Sequence, residues 1–229
     1  MGKKFQGVVD HYLFVGNPGT GKTTVARIMG NIFYSLGVLP SNRLLEVTRK
    51  DLVEGYVGQT ATKTARVVKR AVGGVFFIDE AYSLMGDNFG QEATNTILPM
   101  LLDYKGKMVC IAAGYPREIR QWIDTNSGLE SRFTKVIHFE DYNPDELAQI
   151  FRMKVKKDKL TLTPEAENAM RVYFTDLYNR RERNFANARE VNNYFDRVKK
   201  NQSSRLRHEM ERPDFDPASY SILLPEDMG

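Results

Sequence analysis

The chain has 229 residues, 41% of them hydrophobic and 27% charged, which is ordinary for a globular protein and excludes a disordered or a fibrous one. It has no apolar run of about 18 residues and no signal-peptide stretch near its N-terminus, so we expect no membrane-spanning segment. The single cysteine, Cys110, excludes an internal disulfide bond. These features together predict a cytoplasmic protein.

The net charge is +4, and residues 144–211 account for the excess, with 15 Lys and Arg against 11 Asp and Glu. A basic segment can form a nucleic-acid-binding face, but a mild excess is more often a solvated helical surface. The composition leaves both interpretations open, and we expect nucleic acid to be the less favoured partner.

Short apolar runs alternate with helical patterns through residue 140. In chain order these are strand HYLFVG (11–16), helix 22–36, strand RLLEVT (43–48), helix 60–71, strand GGVFFID (73–79), helix 91–104, and strands KMVCIAAG (107–114) and KVIHFE (135–140). Several of these strands are apolar on both faces, as in a parallel sheet that is covered on each side. The pattern therefore predicts an α/β domain over residues 1–142.

From Asn143 onward the strand patterns stop, and the signals are those of helices. Asn143 and Thr163 each precede a proline at the first helical position, and a third helix is predicted over about residues 188–208. We expect a small all-helical subdomain over residues 143–211, followed by a proline- and acid-rich tail over 212–229.

The stretch GNPGTGKTT (16–24) follows the first predicted strand and opens the first predicted helix. It matches G-x-x-x-x-G-K-[ST], a pattern whose glycines let backbone N–H groups point into one concavity that binds phosphates. Lys22 is expected to reach the β- and γ-phosphates of ATP, and the Thr23 hydroxyl to bind Mg²⁺. The predicted nucleotide-binding residues are Gly16, Asn17, Pro18, Gly19, Thr20, Gly21, Lys22, Thr23 and Thr24.

The run VFFIDE (75–80) places an acid pair at the carboxyl end of a buried strand, where parallel sheets bind their ligands. Asp79 is predicted to hold Mg²⁺, as in other phosphoryl-transfer sites. Glu80 is predicted to orient and polarise the attacking water as a general base. Two adjacent acids here favour water as the nucleophile, and so hydrolysis of ATP.

The stretch SGLESRF (127–133) lies between the fourth and fifth predicted strands. We expect Phe133 to anchor Arg132 to the core, and Arg132 to lie too far from its own phosphates but to complete the site of a neighbouring copy. An arginine supplied in this way neutralises developing charge and is worth ~10³–10⁵ in rate. The alternative is a surface arginine in a salt bridge.

The stretch EGYVGQT (54–60) holds Tyr56 and Val57 between two glycines, which predicts a loop. A tyrosine offers a large, rigid contact at low entropic cost, so it can grip a peptide by area rather than by sequence. The alternative is that Tyr56 packs on its own domain.

Taken in order, GNPGTGKTT, YVGQT, GGVFFIDEAYSL, AGYPREI, SRF and FANAREV resemble an AAA+ ATPase, and more narrowly the CbbX/CfxQ family. This family includes red-type Rubisco activase, stage V sporulation protein K and the ATPase domain of type VII secretion ATPases. The resemblance covers about residues 11–200. It implies a P-loop fold with a five-stranded parallel sheet and a helical lid, assembled into an ATP-dependent hexameric ring.

The resemblance also implies roles for individual residues. Arg132 falls on the arginine finger, and Arg189 on the lid arginine that touches the nucleotide. Tyr56 and Val57 fall on the loop that faces the central pore and grips the client protein. AAA+ proteins commonly have a polar side chain at the end of the fourth strand, but Gly114 and Tyr115 stand there in this chain, so no water-positioning side chain is assigned.

The sequence thus predicts an ATP-hydrolysing motor that remodels a client protein. Two other functions stay open at this point. One is a nucleic-acid-associated loader or switch that uses the basic helical segment. The other is a nucleotide-dependent assembly scaffold with little turnover. The identity of the client is not readable from the sequence.

Overall fold

In the computed structural model, residues 10–56, 58–211 and 216–229 are described. Five strands form one parallel sheet: β1 (Tyr12–Gly16), β2 (Leu44–Val47), β3 (Val75–Ile78), β4 (Val109–Gly114) and β5 (Lys135–Phe139). Their order across the sheet is β2-β3-β4-β1-β5. The predicted five-stranded parallel sheet is confirmed. Because the strands are parallel, their carboxyl ends share one edge, and the end of β4 lies between the ends of β3 and β1.

The apolar run of the interior strand β3 has no alternation because both of its faces are covered. Phe76 and Ile78 pack into one hydrophobic core, while Val75 and Phe77 pack into another. Successive side chains of a strand point to opposite faces, so a strand covered on both sides must be apolar at every position. The edge strand β5 is largely exposed and carries Lys135 and His138 instead.

The helices of the sheet unit lie close to their predicted places. They are α1 (Lys22–Ser35), α2 (Arg49–Leu52), α3 (Gln59–Ala71), α4 (Asn88–Asp103), α5 (Pro116–Asp124) and α6 (Ser127–Arg132). The sequence predicted α1, α3 and α4, but not the short α2, α5 and α6. Helix α4 begins three residues before its predicted start because the Asp87 side chain accepts a hydrogen bond from the Gly90 N–H and caps it.

The chain divides into two compact units. The α/β unit contains the described residues up to Asn17 together with Gly21–Phe139, and the helical unit contains Pro18–Thr20 and Glu140–Gly229. The predicted division into 1–142, 143–211 and 212–229 stays a prediction, since residue 212 lies outside the described residues.

Three helices form most of the helical unit: α7 (Pro144–Lys157), α8 (Pro164–Asn179) and α9 (Ala188–Glu209). Asn143 and Thr163 cap the first two, since their side chains accept hydrogen bonds from the N–H groups of Glu146 and Ala166. The core of the unit is aromatic, with Phe151, Phe174 and Tyr194 buried against one another.

The helical unit also contains strands, contrary to the expectation that strands end at Asn143. Strand β6 (Thr161–Leu162) pairs in parallel with β7 (Ile222–Leu223). Two-residue strands are too short to leave a period-2 pattern in a sequence, which is why the pattern missed them. Beyond β7, Met228 is buried in the unit, and the Arg205 guanidinium donates to both oxygens of the buried Asp227.

Within the described part of the chain, no helix is both long enough and apolar enough to cross a bilayer.

Candidate functional site

The phosphate-binding loop of the α/β unit begins where β1 ends and finishes where α1 begins. Gly21 has a φ of 93°, a left-handed conformation that favours glycine, and it is the N-cap of α1. Having no side chain, it does not cap the first N–H groups of the helix with one of its own. Such N–H groups, with the positive end of the helix dipole behind them, suit an anion like phosphate.

The Lys22 side chain lies along this loop. Its Nζ donates hydrogen bonds to the carbonyl oxygens of Gly16, at 2.8 Å, and Asn17, at 2.7 Å. The ammonium group is therefore held at the start of the loop, where it can neutralise phosphate charge. In the same first turn, Thr23 is half-buried and Thr24 is exposed.

The acid pair follows β3. Asp79 is half-buried, and its N–H donates to the Val47 carbonyl at 2.8 Å, which extends the pairing with β2 by one residue. Glu80 is exposed and has φ 51° and ψ 45°, in the left-handed region that a non-glycine residue rarely adopts. Backbone strain of this kind concentrates at functional sites, so the conformation of Glu80 supports a chemical role.

The sheet brings these two predicted motifs to one edge. Asn17 follows β1 and Asp79 follows β3, and in the sheet these strands are separated only by β4. The parallel topology therefore places the phosphate loop and the acid pair side by side at the carboxyl ends of the strands, where open α/β sheets bind ligands.

The middle of the phosphate loop, Pro18–Thr20, belongs to the helical unit and makes hydrogen bonds within it. The Ala188 N–H donates to the Gly19 carbonyl at 3.2 Å, and the Tyr142 hydroxyl donates to the Thr20 carbonyl at 3.1 Å. A Cβ at Gly19 would lie 2.2 Å from the Ala186 carbonyl oxygen. Only glycine fits there, and its φ of 72° adds a second reason.

Asn187 is a site residue that the sequence analysis did not single out. It is fully buried, and its Oδ1 accepts from the Tyr142 N–H at 2.8 Å. Its Nδ2 donates to Asp141 Oδ1 at 2.7 Å, to the Phe185 carbonyl at 3.0 Å and to the Pro18 carbonyl at 3.3 Å. Its position directly before helix α9 was the available signal, since asparagine is a common residue at helix starts.

Arg189 lies next to the loop backbone in the same unit. A Cβ built on Gly19 would be 3.0 Å from the Arg189 backbone nitrogen, and the arginine is exposed. The predicted role of Arg189 toward a nucleotide stays a prediction, and its place beside Gly19 supports it.

Arg132 ends α6, and Phe133 follows it into the core. Phe133 is buried between the rings of Trp122, at a centroid distance of 5.8 Å, and His11, at 6.2 Å. Arg132 Nη1 donates to the Ser131 hydroxyl at 2.8 Å, while its Nε is buried and has no hydrogen-bond partner among the described residues. The predicted role of Arg132 toward the nucleotide of a neighbouring copy stays a prediction.

Tyr56 is the most exposed of the large hydrophobic side chains, at 74%. On either side of it, a Cβ at Gly55 or Gly58 would meet nothing within 4 Å. The alternative that Tyr56 packs on its own domain therefore lacks support in the structure. The neighbouring predicted contact residue, Val57, lies outside the described residues.

Comparison with known proteins decides the family. The model of the ATPase family associated with various cellular activities (AAA) matches residues 12–141, and the AAA lid domain model matches residues 143–229. Protein CbbX of Cereibacter sphaeroides is 41% identical over 95% of this chain and 71% of its own length. The chain belongs to the CbbX/CfxQ family of AAA ATPases. The resemblance inferred from the motifs is thus confirmed.

Another member of this family is the chloroplastic ribulose bisphosphate carboxylase/oxygenase activase of Cyanidioschyzon merolae. It is 43% identical over 86% of this chain and 68% of its own length. Among solved structures, the FIGL-1 AAA domain superposes with a TM-score of 0.66, over 96% of this chain and 69% of that one, at 17% identity. This structural likeness shows the fold alone. As a CbbX/CfxQ member, the chain is a nucleotide-binding ATPase of the remodelling type.

Proposed function

We propose that this protein hydrolyses ATP with Glu80 as the general base and uses the energy to remodel a client protein. The observation that carries the proposal is that the phosphate loop and the acid pair both lie at the carboxyl-end edge of the sheet. Glu80, the second residue beyond β3, holds a strained left-handed backbone and is exposed at the carboxyl end of the sheet. Its carboxylate takes the proton of the attacking water.

Mg²⁺ fits the residues at this edge. The Thr23 hydroxyl and the half-buried Asp79 carboxylate are hard oxygen ligands, which Mg²⁺ prefers. Thr23 lies in the first turn of α1, and Asp79 is the first residue after β3. The ion would supply charge neutralisation on the β- and γ-phosphates. Lys22 and the backbone N–H groups at the start of α1 bind and orient the same phosphates in this proposal.

Arg132 acts on the nucleotide of a neighbouring copy in this proposal. Its place at the end of α6 supports the idea, because the buried Phe133 that follows fixes the backbone from which the half-buried arginine extends. Such a site is complete only in an oligomer, which we propose to be a homohexameric ring. Arg189, beside Gly19, contacts the nucleotide bound at the loop of its own chain.

Tyr56, with Val57, is proposed to grip the client near the axis of the ring. The high exposure of Tyr56 supports this role, because an aromatic side chain held in water gains from burial against a passing peptide. The client is a protein segment, and its identity is left open. A cytoplasmic location stays part of the proposal.

The decisive experiment measures ATP turnover against protein concentration for the wild type and for Glu80→Gln. We expect the specific activity of the wild type to rise with concentration as copies assemble. Glu80→Gln should bind ATP with unchanged affinity while its turnover falls at least ~100-fold, the range for losing a general base. Unchanged turnover in Glu80→Gln would contradict the base assignment, and turnover that is independent of concentration would contradict the shared site.

The two alternative functions predict other results. A nucleic-acid loader would bind DNA in a salt-dependent way, with hydrolysis stimulated by DNA. Several arginines of the helical unit are already paired with acids, such as Arg152 with Glu167 and Arg180 with Asp176, which weakens the case for a basic DNA-binding face. An assembly scaffold would form rings with ATP but show little turnover at any concentration.

A further inference from the structure

The end of β4 is the position in the sheet where a side chain would face both halves of the site. Strand β4 lies between β3 and β1, so its last residue, Gly114, is flanked by the acid pair on one side and the phosphate loop on the other. A glycine supplies no side chain there. Any polar side chain at this place therefore comes from another part of the chain.

The ring of Tyr82 occupies the space that a side chain at Gly114 would fill. A Cβ built on Gly114 would lie 2.7 Å from Tyr82 Cδ1 and 2.9 Å from Ile119 Cγ1. Tyr82 belongs to the 3₁₀ helix Ala81–Leu84 and is the second residue after Glu80, and its ring centroid is 5.7 Å from that of Tyr115. This contact explains the glycine, since any larger residue would push the Tyr82 ring away.

The Tyr82 hydroxyl keeps its proton over the whole physiological range. Burial is the main cause that raises the pKa of Tyr82 to about 12. Neighbouring groups that become negative raise it further, in the order Glu80, Tyr115, Glu118 and Asp79. A protonated phenol can donate a hydrogen bond to a carboxylate.

We propose that the Tyr82 hydroxyl is the polar positioning group at the end of β4, and that it orients the Glu80 carboxylate and the water that Glu80 activates. The inference rests on the proposed ATP hydrolysis and names a residue that acts through Glu80. It combines three placements: the glycine at the end of β4, the Tyr82 ring over that glycine, and the attachment of Tyr82 two residues after the base.

The first test compares Tyr82→Phe with the control Tyr115→Phe. Tyr82→Phe keeps the ring over Gly114 but removes the hydroxyl, so a purely structural role would leave activity and melting temperature unchanged. We expect kcat for ATP to fall roughly 10- to 100-fold, the range for losing a hydrogen bond to a charged group, with the KM for ATP unchanged. Tyr115→Phe should retain the wild-type kcat. A kcat within about twofold of the wild type in Tyr82→Phe would overturn the proposal.

The second test asks whether a different polar side chain, placed at Gly114 itself, can support ATP hydrolysis when Tyr82 is removed. Tyr82→Ala removes the nearer of the two side chains that a Cβ at Gly114 would meet, and we compare Tyr82→Ala/Gly114→Ser with Tyr82→Ala/Gly114→Ala. The remaining contact, with Ile119 Cγ1 at 2.9 Å, is the same in both double variants. The serine pair should recover part of the lost kcat relative to the alanine pair, and equal kcat values would count against the proposal. A wild type that does not hydrolyse ATP would overturn both the function and this inference. If the wild type hydrolyses ATP and Tyr82→Phe does so equally fast, this inference fails while the proposed function stands.

Discussion

Replacing Asn187 by alanine tests how residues 18–20 are held within the helical unit. Asn187 is fully buried and makes three hydrogen bonds of 3.0 Å or shorter, to Asp141, Tyr142 and Phe185, besides a longer one to the Pro18 carbonyl. Alanine removes the donors and the acceptor and leaves the Tyr142 N–H without its acceptor. We therefore expect the variant to have a lower free energy of unfolding and to lose the hydrogen bond to the Pro18 carbonyl of the phosphate loop.

The expected loss of unfolding free energy in Asn187→Ala follows from the hydrogen bonds that it removes. Each net hydrogen bond contributes about 0.5–1.5 kcal/mol, so the three short ones sum to roughly 1.5–4.5 kcal/mol. For a chain of this length, a loss of about 3 kcal/mol lowers the melting temperature by about 6–12 °C. Asn187→Asp should be no better, because it keeps the acceptor for Tyr142 but sets a second carboxylate against Asp141, 2.7 Å from the present donor.

The assay is denaturant unfolding followed by circular dichroism, together with the KM for ATP. The matched control is Asn193→Ala, an exposed asparagine in helix α9, which Asn187 directly precedes; it should change stability by no more than about 0.5 kcal/mol. Asn187→Ala should also raise the KM for ATP, because Pro18 loses a hydrogen bond. If Asn187→Ala unfolds within about 0.5 kcal/mol of the wild type, the reasoning from its contacts is wrong.

Three further predictions address the oligomer, the client and the fold. Arg132→Ala should abolish turnover, and mixing it with Lys22→Ala should restore some activity; mixtures that stay inactive would leave Arg132 only a structural role. Tyr56→Ala should keep basal ATP hydrolysis but lose client remodelling, and equal loss of both would contradict a gripping role. Asp87→Ala should cost about 1 kcal/mol at pH 7, measured by unfolding. The hydrogen bond from the Gly90 N–H lowers the pKa of Asp87, so its contribution is full above the unfolded pKa and is lost as the pH falls through the folded pKa. A difference from the wild type that persists at low pH would contradict this assignment.

Much of the α/β unit could be predicted because its signals are local. An apolar run such as 75–78 must be buried on both faces, and the glycines of 16–24 prepare a phosphate loop wherever the sheet places them. Helices with capping residues, such as Asn143 and Thr163, start where the sequence indicates. These features depend on neighbours a few residues apart, so a linear pattern contains them.

Other features depend on residues that only the fold brings together. Asn187 and Pro18 are 169 positions apart in sequence, and no local pattern links them. Likewise, the sequence shows Gly114 as a strand end without a polar side chain, and only the packed structure shows the Tyr82 ring lying over it. The sequence by itself determined the phosphate loop, the acid pair and the order of strands and helices, because these arise from backbone preferences and short periodicities. The tertiary structure decided which distant side chains complete the site, because that depends on how the packed elements fill space.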